Sequence, residues 1–166
     1  MAGEKVLFIV RHGKSGWDYP SVADIDRPLI DRGIRDGYDM ANRALNKKFQ
    51  PELIISSPAI RALHTATIFS RVLGLTPDRI SIKEEIYLAE KQEILSVIAA
   101  ADNLLQSLMI FGHNPGFTDL VNHLSGLRLD NLPTTGFVML KFKTETWKLI
   151  SKKWLLEEYF DSPHNA

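Results

Sequence analysis

The chain contains no cysteine, carries no net charge and has no apolar run long enough to span a bilayer. Each absence removes a class of function. Without thiols there are no disulfides, no thiolate zinc sites and no cysteine nucleophile. With 20 basic against 20 acidic residues, no surplus of positive charge exists to neutralise a phosphate backbone, so no nucleic-acid partner is expected. The first apolar run is short, begins after Lys5 and ends at Arg11, unlike a secretory leader. No membrane segment is expected, and the default compartment is the cytoplasm.

What is present is ordinary for a globular chain. Its 166 residues are 45% hydrophobic and 24% charged, enough for one domain over residues 1–166 with a substantial core. No repeat, low-complexity tract or Gly/Ser linker divides it. Strand and helix signals alternate instead. Val6 to Val10 read as a buried strand, followed by an irregular stretch over 14–30 that Gly16, Pro20 and Pro28 interrupt. Asp31 to Lys48 read as a helix with Asp31 as N-cap and Ile34, Tyr38, Ala41 and Leu45 at helical spacing. Leu53-Ile54-Ile55 is a second strand. Ser57 and Pro58 open a helix as N-cap and first residue, and Gly74 closes it.

Further on, Ile80 to Lys83 read as a short strand and Glu90 to Ala101 as a helix. Leu108 to Phe111 form a third buried strand, and Pro115 to Leu124 a helix ended by Gly126. Phe137 to Phe142 and Trp147 to Leu155 read as two late antiparallel strands at a sheet edge, with a frayed tail after Tyr159. Strands separated by helices imply crossovers and a three-layer α/β/α sandwich with a mostly parallel sheet and an antiparallel edge strand.

Chemistry-bearing residues gather where strands end, the position at which open α/β sheets bind ligands. Arg11-His12-Gly13 follows the first strand, Ser56-Ser57-Pro58 with Arg61 the second, and Gly112-His113-Asn114-Pro115 the third. Arg61 falls in the first turn of its helix, where the dipole disfavours a cation unless an anion offsets it. Such an anion is either a bound phosphoryl group, which arginine grips as a fork, or a surface carboxylate. A neutral His12 can act as nucleophile if one ring nitrogen is held protonated, for which the carbonyl of Gly13 is a candidate partner. His12 is otherwise a hydrogen-bonded core histidine. Two Arg and two His at strand ends supply the donors that a phosphoryl group's three oxygens require.

These segments resemble the histidine phosphatase superfamily with the phosphoglycerate-mutase-like fold over nearly the whole chain. The resemblance rests on Arg11-His12-Gly13-Lys14-Ser15, Asp26-Arg27-Pro28-Leu29 with Arg32-Gly33, Ser56-Ser57-Pro58 through Arg61-Ala62 and Thr65-Ala66, and Gly112-His113-Asn114-Pro115. The short chain and Lys14-Ser15-Gly16-Trp17-Asp18 look most like SixA-type phosphohistidine phosphatases. The resemblance implies that His12 becomes transiently phosphorylated while Arg11, Arg61 and His113 surround the phosphoryl group. Gly13, Lys14, Ser15 and Asn114 would add phosphate or substrate contacts. It implies no metal and no cofactor, the arginines and helix ends taking the electrostatic role.

A proton donor is the least defined member. Glu84, Glu85 and Glu90 stand in the region where larger family members carry an acid, with Glu90 the best placed, and Asp18 is the second candidate. The bland reading of Glu90 is a glutamate complementing a helix dipole. A site without an acid favours phosphoramidates, because phosphohistidine can leave as neutral imidazole whereas an ester leaves as alkoxide. Asp24-Ile25-Asp26 follows no strand and reads as a carboxylate-capped loop, and Trp17, Trp147 and Trp154 read as packing residues. The expected function is removal of phosphate from phosphohistidine in a protein. The alternatives are a phosphatase of a small phosphorylated molecule and a catalytically idle phosphate-binding module.

Overall fold

Leu7 and Ile9 lie on one face of the first strand and Phe8 and Val10 on the other, and all four are buried. A strand that is apolar on both faces must be covered on both, and the computed structural model, which describes residues 3–164, shows how. β1 (Lys5–Arg11), β2 (Leu53–Ser56), β3 (Ile80–Ile82), β4 (Ser107–Gly112), β5 (Phe137–Phe142) and β6 (Leu155–Asp161) form one sheet in the order β3-β2-β4-β1-β5-β6. β1 to β4 are mutually parallel. β5 runs antiparallel to β1, and β6 antiparallel to β5, so the antiparallel strand lies one place in from the edge.

The helices divide between the faces. Met40, Ala41 and Ala44 of α1 (Asp31–Asn46) join Ala66, Ile68 and Phe69 of α2 (Ile60–Val72) against Phe8, Met109 and Phe111. Ile94 and Ile98 of α3 (Lys91–Ala99) and Phe117, Leu120 and Val121 of α4 (Gly116–Leu124) cover Leu7, Ile9 and Ile110. This is the expected three-layer α/β/α sandwich. None of the helices among the described residues is long and apolar enough to cross a membrane.

Several local expectations shift. Ile30, not Asp31, is the N-cap of α1, and Ala59, not Ser57, that of α2; the Ser57 hydroxyl instead accepts the Ala59 N–H just ahead of the helix. The buried face of α1 runs through Gly33, Gly37, Met40, Ala41 and Ala44, leaving Tyr38 and Leu45 exposed. Small residues set that face because α1 approaches its neighbours closely. Gly74 adopts φ 75, and the Leu75 N–H reaches the Ser70 carbonyl at 2.8 Å, the left-handed helix ending its position suggested.

The stretch Trp147 to Leu155 is not a strand. It forms two 3₁₀ turns, Trp147–Leu149 and Lys152–Trp154, and the strand follows them. Trp147 drives this: its ring is fully buried and its indole N–H donates to the Leu105 carbonyl at 3.0 Å, which pulls the chain inwards. The tail is tied rather than frayed as far as Ser162, which is buried, with Asp161 paired to Arg43. Trp17 and Trp154 are exposed rather than packed in the core.

Gly33 lets α1 approach the site loop closely. A Cβ there would lie 2.2 Å from the carbonyl oxygen and 2.9 Å from the nitrogen of Lys14, in the loop after β1. Gly33→Ala should therefore lower the unfolding free energy by about 1–3 kcal/mol in urea denaturation and displace that loop. Gly74→Ala, whose Cβ meets nothing, should cost about 1 kcal/mol from its left-handed backbone alone. Equal destabilisation by the two would refute this account of Gly33.

Candidate active site

Parallel register brings the strand ends together. Arg11 pairs with Gly112 and Ser56 with Phe111, so β2, β4 and β1 end side by side in mid-sheet. One residue later the His12 N–H donates to the Gly112 carbonyl at 3.1 Å, and the Ser57 N–H to the Phe111 carbonyl at 3.0 Å. His12 and His113 thus emerge as neighbours, with ring centroids 5.2 Å apart. A cavity of about 380 Å³ opens over them. Its walls include Arg11, Lys14, Ser15, Arg61 and Asn114 as expected, together with Trp17, Asp24, Arg27, Leu88 and Thr134.

His12 Nδ1 lies 2.7 Å from the Gly13 carbonyl, an oxygen that only accepts, so Nδ1 carries the proton and Nε2 is bare. The Gly13 N–H donates to Thr65 Oγ1, whose hydroxyl donates in turn to the Arg61 carbonyl. The loop is thereby fastened to α2. Burial, opposed by the Gly13 hydrogen bond and reinforced by His113, Arg61 and Arg11, holds the His12 pKa down at about 3. Burial and then Arg61 lower that of His113 to about 4. Both rings are neutral near pH 7. An Arg61 N–H faces His113 Nδ1 at 3.4 Å, so His113 Nε2 bears the proton and donates to the Ser57 hydroxyl at 2.8 Å.

Arg61 is only 2% exposed, and the anion that offsets its place at a helix start is Asp24. Arg61 Nη1 donates to the Asp24 carbonyl at 2.7 Å and Nη2 to its carboxylate at 3.1 Å. Arg27 donates to the other carboxylate oxygen at 3.0 Å, and the Tyr87 hydroxyl donates to Oδ2. Burial pushes the Asp24 pKa up, but the hydrogen bonds from Tyr87, Arg27 and Arg61 outweigh it and bring it to about 2. The Nε atoms of Arg11 and Arg61 are buried without a partner, donors of the kind an anion satisfies.

Other candidates are placed differently. Glu90 is exposed and outside the cavity, its carboxylate accepting the Glu93 N–H in a capping box at the start of α3. Asp18 lines a neighbouring groove with Tyr19 and Asp31. Gly13 spends its N–H on Thr65, and the Asn114 side chain spends its donors on Asn131 and Leu132, so neither of these groups is free to offer a phosphate a hydrogen bond. Ser15 accepts from Arg27 at 2.9 Å. Among the described residues no cluster of histidine, aspartate and glutamate suited to a metal ion occurs.

Asp24, Arg27 and Tyr87 join the site without a role expected of them, Arg27 having stood only within the resemblance and Asp24 only as a loop carboxylate. The available signal was the spacing of Asp24 three residues before Arg27. Trp17 is 74% exposed and lies under the Arg27 guanidinium at 3.6 Å, an aromatic rim where core packing was expected.

Similarity agrees with the geometry. An uncharacterised chloroplastic protein of Arabidopsis thaliana, At3g52155, is 29% identical over 152 residues, 86% of this chain and 68% of that protein. A structure from Agrobacterium tumefaciens named as phosphohistidine phosphatase SixA is 28% identical with TM-score 0.76, covering 93% of this chain and 97% of its own. The protein histidine phosphatase SixA solved with tungstate shares the fold at 23% identity and TM-score 0.80, over 96% and 98% of the two chains. The model of the histidine phosphatase superfamily (branch 1) matches residues 7–93, which hold Arg11, His12, Asp24 and Arg61. With that match over more than half its length, the chain belongs to the histidine phosphatase superfamily and is a phosphatase.

Proposed function

We propose that this phosphatase removes the phosphoryl group from phosphohistidine in a protein, passing it through His12 to water. The observation that carries this reading is the locked tautomer of His12. With Nδ1 donating to Gly13, the Nε2 lone pair is free to form a bond to phosphorus. Arg11, Arg61 and His113 surround the phosphoryl group, and the two guanidiniums bring positive charge to its oxygens. Lys14 adds charge at the rim. In the first step the Nε2–P bond forms and the substrate's P–N bond breaks, its electron pair staying on the departing ring. In the second, water attacks phosphorus, the Nε2–P bond breaks and His12 returns to the neutral form. The water proton leaves on the inorganic phosphate.

The nature of the leaving group favours phosphohistidine over phosphate esters. Among the described residues Asp24 is the only carboxylate lining the cavity, and at a pKa of about 2 it has no proton to give. An alkoxide departs slowly without an acid, whereas an imidazole whose far nitrogen is protonated departs neutral. Transfer from one imidazole to another also exchanges like bonds. The Agrobacterium relative, 28% identical over 93% of this chain, bears a phosphohistidine phosphatase name. Hydrolysis of a small phosphorylated metabolite is the second reading.

Turnover of a phosphohistidine protein and of para-nitrophenyl phosphate, measured with EDTA, separates these readings. Phosphohistidine should be the better substrate, EDTA should change neither rate, and His12→Ala should lose on the order of 10⁴-fold on both. An undiminished His12→Ala rate would remove the mechanism. Glu90→Gln should change kcat by less than about twofold, since its carboxylate caps a helix outside the cavity. A hundredfold loss in that variant would restore Glu90 as the acid.

Neutral histidines also set an acid limit on stability. His12 at about 3 and His113 at about 4 stay unprotonated where their unfolded counterparts, near 6.5, take up protons. Stability should therefore fall as the pH drops from 6.5 towards 4, by up to roughly 1.4 kcal/mol per pH unit for each histidine. Urea unfolding of His12→Asn should show a shallower fall than the wild type. Identical slopes would contradict the burial of a neutral His12.

A further inference from the structure

The cavity has a floor and a mouth of different character. His12, His113 and Arg61 at the floor are buried, while Asp24, Trp17 and Leu88 at the mouth are open to solvent, the Asp24 side chain being 38% exposed. A phosphoryl group in line with His12 Nε2 directs its leaving group from floor to mouth, past Asp24. That is an odd place for a carboxylate. It repels a phosphoryl dianion, and it weakens the positive field that Arg11, Arg27, Lys14 and Arg61 create. Holding Arg61 explains only Oδ2 and the backbone carbonyl. Oδ1 takes one N–H, from Arg27 Nε, so three of the roughly four acceptor directions of the carboxylate are used and one on Oδ1 is open.

We propose that Asp24 selects an imidazole leaving group by accepting a hydrogen bond from the ring N–H farthest from phosphorus. The inference deepens the phosphohistidine reading and rests on it. A phosphohistidine ring whose far nitrogen is protonated is cationic and matches the carboxylate in charge. The carboxylate favours that protonated form, as an adjacent anion does for any imidazole. When His12 Nε2 forms its bond to phosphorus, the substrate's P–N bond breaks with its electron pair on the ring. The far proton stays where it is, and the ring leaves as neutral imidazole still bonded to Asp24. No proton crosses the site. An alcohol leaving group has no such N–H to offer and gains nothing from Asp24.

The charged and titratable groups facing Asp24 are Arg27 on its own loop, Arg61 from α2, Tyr87 from the loop before α3 and His113 after β4, with Arg11, His12 and Lys14 around the same cavity. The two histidines are neutral near pH 7, and the hydrogen bond to Asp24 holds the Tyr87 hydroxyl protonated above its usual range. A titration seen near neutral pH with the peptide substrate, and absent with an ester, therefore belongs to the substrate ring.

The test compares Asp24→Asn with wild type on a peptide phosphorylated at one histidine and on para-nitrophenyl phosphate, across pH. In the variant, kcat/KM for the peptide should fall at least about tenfold more than for the ester, the worth of one charge-assisted hydrogen bond. The basic limb of the peptide profile should also move to lower pH by roughly one unit, while the ester profile keeps its limb. Tyr87→Phe, which keeps the carboxylate and removes one donor to it, should change the substrate ratio by less than about threefold. Equal losses on both substrates with an unmoved limb, or the same ratio change in both variants, would overturn the role of Asp24. A wild type that cleaves the ester and ignores the peptide would instead overturn the phosphohistidine reading beneath it.

Discussion

A guanidinium taken out of water must be met by charge and hydrogen bonds, and the buried cation of Arg61 imposes that demand on the whole site. It sits in the first turn of α2, where the helix dipole adds to the repulsion. Leaving the buried cation without its partner carries the penalty of an uncompensated charge, lessened where the Asp24 carboxylate meets solvent. Asp24 answers with its carbonyl and its carboxylate, which pins the loop after β1 against α2. Tyr87 and Arg27 close on the same carboxylate, and His113 turns Nδ1 to the same guanidinium. Segments that follow β1 and β2, precede α3 and follow β4 therefore converge on one ion pair.

The same arrangement determines how the histidines behave. Burial and neighbouring cations disfavour any further positive charge, so His12 and His113 stay neutral over the range in which free imidazole titrates. A cationic pocket suits a phosphoryl dianion, and a neutral imidazole is the form that the proposed attack on phosphorus requires. One field supplies both conditions. It also ranks the side chains in energetic terms: burial outweighs the Gly13 hydrogen bond in setting the charge of His12, whereas that hydrogen bond sets which nitrogen is bare.

The layers and the floor of the site were legible in the sequence because both follow from local patterns. Strands apolar on both faces demand helices on both sides, and polar residues placed directly after strand ends land together whenever those strands pair in parallel. Asp24 was not legible, since of its partners only Arg27 is near in sequence, while positions 61 and 87 are brought to it by the fold. The acid candidates failed for a related reason. Glu90 carries the same chemistry wherever it stands, and only the helix start next to it shows that its oxygens are engaged. Trp147 to Leu155 misled through composition: an apolar, aromatic run suits a strand, but burying the Trp147 ring requires turns.

The orientation of His12 bears on whether this pocket merely holds phosphate or turns it over. A site built only to retain a dianion gains from N–H groups and loses from lone pairs aimed at the ligand. An imidazole serving such a site would present its N–H and leave its bare nitrogen to a donor elsewhere. His12 does the reverse, with its N–H turned back to the Gly13 carbonyl and its lone pair left on the opposite side of the ring, within the cavity wall. That choice weakens simple retention of phosphate. It is favourable only where the lone pair becomes a bond to phosphorus, and Thr65, holding Gly13 to α2, keeps the choice in place.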